Sequence, residues 1–158
     1  MDEWKKLICR GNRSFERGRL DEAAWQYLAA LAEAERCIGR VAVECAAGEA
    51  CEPTGQRRYL DAVAAVAAYV VTRLNLVDLS LRLDRGEEAA EHLQVMQARL
   101  HAIIDDRRQP WTLRAAALRN SRRAQDAVLS FVEEHGIAGP SCACGRSITH
   151  LPPSAVLH

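Results

Sequence analysis

Aromatic side chains are scarce in this sequence: three tryptophans, three tyrosines and two phenylalanines make up 5% of it. A β-sandwich or barrel draws on aromatic and β-branched residues and is poorly served by that supply, whereas abundant alanine suits closely packed helices. Net charge is missing too, since twenty-one basic residues balance twenty-one acidic ones. No overall field exists to hold nucleic acid or an anionic membrane. The local basic clusters, Arg107-Arg108 and Arg119 to Arg123, have only Trp111 nearby to stack on a base. The opening segment holds no apolar core of signal-peptide length. The longest greasy stretch, Ala62 to Val71, is cut by Thr72 and Arg73, which predicts a buried helix, no membrane span and a cytoplasmic protein.

Signatures of catalysis are absent as well: no phosphate loop, dinucleotide fingerprint or nucleophile elbow occurs. Asp105-Asp106 and Glu133-Glu134 are adjacent pairs whose side chains diverge, and His92 and His101 have no third partner to complete an acid-base set. The expectation is a protein that is not an enzyme and needs no cofactor. The six cysteines read as free thiols in a reducing compartment. Cys37, Cys45 and Cys51 have no nearby histidine and read as packing thiols, with Cys9 at or near the core. An alternative function rests on Cys142, Cys144, His150 and His158, a thiolate and imidazole set for metal handling or thiol redox chemistry. Against it, the one-residue gap between the two cysteines is awkward for a tetrahedral centre.

What remains is helical periodicity. Trp4, Leu7, Ile8 and Phe15 fall on one side of a first helix, and Gly18 breaks the pattern. A second helix follows from Asp21, burying Ala23, Ala24, Tyr27, Ala30, Leu31 and Ala34. Gly39 to Gly55, with Gly48 and Pro53, reads as the end of that helix and a loop. Val63, Val66, Val70, Leu74, Val77 and Leu81 then keep helical spacing over a long third helix. Glu88-Ala89 and Leu93 belong to a fourth, and Pro110 opens a fifth that Gly136 stops. The predicted class is all-α, about five helices. The helical domain spans residues 1–136, with an insertion at 39–55 and a capping helix over 110–135, and 137–158 form an irregular tail.

The order Gly11-Asn12, Phe15, Gly18, Glu22-Ala23, Tyr27 and Ala30-Leu31 resembles the tetratricopeptide repeat, in which small residues mark helix crossings and large ones fill between. A second copy, with Leu76, Leu81, Glu88-Ala89 and Leu93 at comparable offsets, has Val77 and Asp84 where the repeat places glycine. The resemblance implies antiparallel helix pairs in a short right-handed superhelix whose first helices line a concave groove. It further implies a non-catalytic adaptor, scaffold or chaperone-like module of bacterial type that binds another protein or a peptide there. Neither nucleic acid nor membrane is expected as a partner, and a homodimer is allowed. The implied contacts are Lys5, Ile8, Asn12, Phe15, Thr72, Asn75, Leu79, Arg82, Arg119 and Arg123. Some members of the family clamp a C-terminal carboxylate with asparagines and cations. Asn12 and Asn75 match the asparagine places, Arg119 and Arg123 are candidate cations, and Ile8 departs from the pattern where a lysine is usual.

Overall fold

The computed structural model describes the backbone of residues 1–46 and 52–136 and the side chains of 1–44 and 56–136. Five helices follow one another, α1 (Asp2–Glu16), α2 (Leu20–Ala46), α3 (Glu52–Arg82), α4 (Gly86–Asp105) and α5 (Trp111–His135). No strand occurs among the described residues. Acids occupy the first turns of α1 (Asp2, Glu3), α2 (Asp21, Glu22) and α4 (Glu87, Glu88), where the helix dipole favours negative charge.

Two of the connections are built alike. After α1, the Gly18 N–H donates to the Phe15 carbonyl and the Arg19 N–H to the Ser14 carbonyl, and Gly18 takes φ 71°. After α3, the Asp84 N–H donates to Leu81 and the Arg85 N–H to Ser80, and Asp84 takes φ 59°. The glycine missing from the second copy is thus replaced by an aspartate in the same left-handed conformation, which Asp tolerates better than most side chains. Between α4 and α5 the chain turns on Asp106, whose carboxylate accepts the Arg108 N–H at 2.9 Å. The Arg114 Nε–H donates to the Ile104 carbonyl at 2.8 Å, placing a cation against the C-terminal end of α4.

Of the segment 39–55, expected to hold the end of the second helix and a loop, residues 39–46 end α2 and residues 52–55 already belong to α3. Gly39 costs α2 about 1 kcal/mol relative to alanine. Ile38 and Val41 lie buried beside it in the main core, and burying such side chains is worth about 1.5–3 kcal/mol each. Pro53 falls in the first turn of α3, where its missing N–H would have no helical partner. Residues 47–51, with Cys51, lie outside the described residues, as does all of 137–158.

α3 is the axis of the molecule and packs along α2, α4 and α5, while α1 lies on α2 and touches α3 more narrowly. The larger core gathers Ile38 and Val41 of α2, Val66, Tyr69 and Val70 of α3, Leu93, Met96 and Leu100 of α4, and Leu113 and Ala117 of α5. A smaller one joins Leu7 and Ile8 of α1, Ala23, Tyr27 and Ala30 of α2, and Leu76 and Leu79 of α3. By length and composition the stretch Gln56–Arg82 is apolar enough to cross a membrane, contrary to the sequence reading, and half of its most apolar window is buried by neighbouring helices. Cys37 is buried as expected, but Cys9 is exposed, because it points away from the Leu7, Ile8 and Gly11 face.

Candidate binding site

α1 and α3 run in the same direction, and their contacts climb together: Trp4 meets Thr72 near one end, and Phe15 meets Arg82 near the other. The indole N–H of Trp4 donates to the buried Thr72 hydroxyl at 2.8 Å, and that hydroxyl donates to the Ala68 carbonyl at 2.7 Å. Gly11 permits the rest. A β-carbon there would lie 2.5 Å from the Tyr27 ring, so only glycine lets that ring lie flat on α1. The phenol consequently reaches across the helix and donates to Asn12 Oδ1 at 2.9 Å, and Asn75 Nδ2 donates to the same oxygen at 3.3 Å.

Beside this bridge opens a pocket of about 300 Å³ lined by Asn12, Phe15, Glu16, Tyr27, Asn75 and Asp78. Its charge is negative. Neither Glu16 nor Asp78 forms an ion pair among the described residues. Burial raises the Asp78 carboxyl above its ordinary value. Burial and the fields of Asp78 and Glu16 push the Tyr27 hydroxyl up to about 12, so it stays a hydrogen-bond donor at any physiological pH. Arg82 lies over the Phe15 ring with its guanidinium carbon 5.8 Å from the ring centre. Tyr27 spends its hydroxyl and Asn75 one N–H on Asn12 Oδ1, which leaves Asn12 Nδ2, Asn75 Oδ1 and the second Asn75 N–H for a ligand.

The residues singled out from the sequence separate into three groups. Asn12, Phe15, Asn75 and Arg82 come together around the pocket, and Lys5 is exposed elsewhere on α1. Ile8 of α1 is buried in the smaller core, and Thr72 and Leu79 are buried because α3 is enclosed by its neighbouring helices, so none of the three offers a surface. Arg119 and Arg123 are exposed on α5, which makes no contact with α1, so nothing joins them to the asparagine pair. The pocket is therefore acidic where the resemblance implies a cationic clamp. Glu16, Tyr27 and Asp78 line it without having been singled out for it. A signal for Asp78 existed: it precedes Asp84 by the same interval as Asn12 precedes Gly18, and the two turns are equivalent.

A family model described as "Protein of unknown function (DUF2753)" matches residues 2–151. The chain belongs to that family. No curated protein and no solved structure matches it. In this DUF2753 chain no group of three or more His, Cys, Asp or Glu side chains able to hold a metal ion is found among the described residues. Cys142, Cys144, His150 and His158 lie outside them. The Cys37 thiol is raised by burial and by the Glu33 carboxylate, with which it hydrogen-bonds, so it is held as an unreactive thiol. His92 accepts from Arg73 Nη1 at 3.2 Å and is shifted down by burial and by that guanidinium, which keeps it a neutral acceptor.

Proposed function

We propose that this DUF2753 protein is a non-catalytic protein-interaction module of tetratricopeptide-like build. In this reading α1 with α2 and α3 with α4 are the two helix pairs of a short superhelix, and α5 caps it. The shared turn geometry at Gly18 and Asp84 and the parallel course of α1 and α3 support it. The partner is an extended or helical segment of another protein, lying across α1 and α3 in the cytoplasm.

The observation that carries the proposal is the open pocket in which asparagines from two separate helices meet beside two carboxylates without ion pairs. Neither a nucleophile nor a histidine lines it, and its tyrosine is too weak an acid for proton transfer near neutrality. Its chemistry is that of recognition. Two acids, an aromatic edge and free amide groups suit a lysine or arginine side chain of the partner, and they disfavour a C-terminal carboxylate.

The test is a selection from a random peptide library displayed on phage, followed by affinity measurements on the selected sequences. Enriched peptides are expected to carry a lysine or arginine whose replacement by alanine weakens binding at least tenfold. Glu16→Gln with Asp78→Asn is expected to do the same from the protein side. Enrichment of acidic or C-terminally anchored peptides, or binding indifferent to both substitutions, overturns the proposal.

A further inference from the structure

We infer that a second copy of this chain docks on the outer face of α5, antiparallel to it, independently of what the α1 and α3 pocket binds. α5 buries Leu113, Ala116, Ala117 and Ala124 against the rest of the molecule. On its opposite side Trp111, Ala115, Leu118, Arg122, Gln125 and Leu129 recur at alternating intervals of four and three, the spacing of a coiled-coil seam. Trp111, Leu118 and Leu129 are 67%, 63% and 53% exposed, so the large apolar members of the seam face outward. Trp111 is held in place by stacking on Tyr59, ring centres 5.9 Å apart.

Charge along the helix selects the occupant. The N-terminal half of α5 carries Arg114, Arg119, Arg122 and Arg123 and no acid, and the C-terminal half carries Asp126, Glu133 and Glu134 and no arginine or lysine. α1, α2 and α4 place acids in their first turns, whereas α5 opposes its own dipole. None of Arg119, Arg122, Arg123 and Asp126 forms an ion pair among the described residues. A helix that is basic at one end and acidic at the other is complementary to an antiparallel copy of itself. Such an isologous pair also cancels the two dipoles.

Full overlap of the two helices puts the two-fold axis beside Arg123 and Ala124. Leu118 then faces Leu129 of the partner subunit, and Arg122 faces the partner's Gln125, whose amide oxygen accepts from the guanidinium. Asp126 falls near both the partner's Arg119 and the partner's Arg122. The seam has few large apolar side chains and polar ones at its centre, so the dimer is weak, with a dissociation constant on the order of micromolar.

The experiment is sedimentation equilibrium on the full chain over a wide concentration range. Wild type is expected to dimerise reversibly, and Leu118→Glu with Leu129→Glu is expected to be monomeric with an unchanged circular dichroism spectrum. Arg122→Glu alone should weaken association about tenfold, since it turns the two symmetry-related contacts with Asp126 into repulsions, and Asp126→Arg alone should weaken it more, since it reverses the contacts with Arg119 as well. Mixing those two single variants restores both contacts between positions 122 and 126 and leaves only the arginine introduced at 126 against one Arg119, so it should recover most of the dimer. A dimer that survives the double leucine substitution, or two single variants that fail to rescue one another, overturns the antiparallel pairing. So does a wild type that stays monomeric. In that case a loss of hydrogen-exchange protection along α5 on removing residues 137–158 would assign the seam to the chain's own C-terminal segment.

Discussion

Gly11 and Asp78 show how single side chains shape this protein. Gly11 is small because the Tyr27 ring occupies the place of its β-carbon, and the phenol's reach to Asn12 depends on that closeness. Gly11→Ala is therefore expected to lower stability by about 1–3 kcal/mol, the usual cost of overpacking, in urea denaturation. It should also move the Tyr27 ring off α1 and open the Asn12 bridge. Asp78 is raised above its ordinary carboxyl value by burial, so the folded state binds its proton more tightly than the unfolded chain does. Stability from this group is greatest at low pH and declines as pH rises through the folded value. Asp78→Asn removes that penalty, and its melting temperature is expected to exceed wild type at about pH 7 and to match it near about pH 3. A thermal melt series across that range checks this, and no gain at neutral pH would contradict the raised carboxyl.

At the scale of helices, the two turns that close α1 and α3 use different residues in one conformation. Gly18→Ala forces a β-carbon into the left-handed region and is expected to cost about 1 kcal/mol. Asp84→Gly relieves the same strain at the equivalent turn and is expected to leave stability unchanged or raise it by about 0.5 kcal/mol, both read from urea midpoints. Much of this level was legible beforehand. Helical spacing and helix breakers placed the five helices, and the positions expected to be buried in α2 are buried or half-buried. Within 39–55 α2 runs to Ala46 and α3 begins at Glu52, earlier than a breaker reading of Pro53 and Gly55 allows, because proline fits the first turn of a helix. Thr72 and Leu79 were misjudged because periodicity marks the faces of a helix but not how many neighbours will cover them. Counting back from the two equivalent turns puts Asp78, not Asn75, in Asn12's place, so the meeting of Asn12 and Asn75 is a product of how α1 packs on α3. The acidity of their pocket was not legible either, since it depends on Glu16 and Asp78 arriving from two helices.

For the whole molecule, the arrangement is a large core around α3 with a smaller core attaching α1. α1 is held to α3 by Trp4, Asn12 and Phe15 and by the smaller core that Leu7 and Ile8 share with Leu76 and Leu79. Trp4→Phe deletes the indole donor to Thr72 and is expected to cost about 1 kcal/mol. The loss should be uneven. Hydrogen exchange is expected to quicken through α1, while α3, α4 and α5 keep their protection, because α1 is a terminal helix seated on the smaller core and can open before the global unfolding. Uniform loss across all five helices would show that the two cores open together.

The claim at the centre of this account is that the acidic pocket between α1 and α3 receives a basic side chain of a protein partner. It is tested most directly by two-dimensional amide NMR of the isotopically labelled protein. One titration uses a short peptide bearing a single central lysine, and the other uses its glutamate counterpart. The account predicts that the lysine peptide shifts the side-chain amides of Asn12 and Asn75 and the backbone signals of Gly11 and Asp78, and that the glutamate peptide leaves them in place. Shifts produced equally by both peptides, or by the glutamate peptide alone, would contradict it.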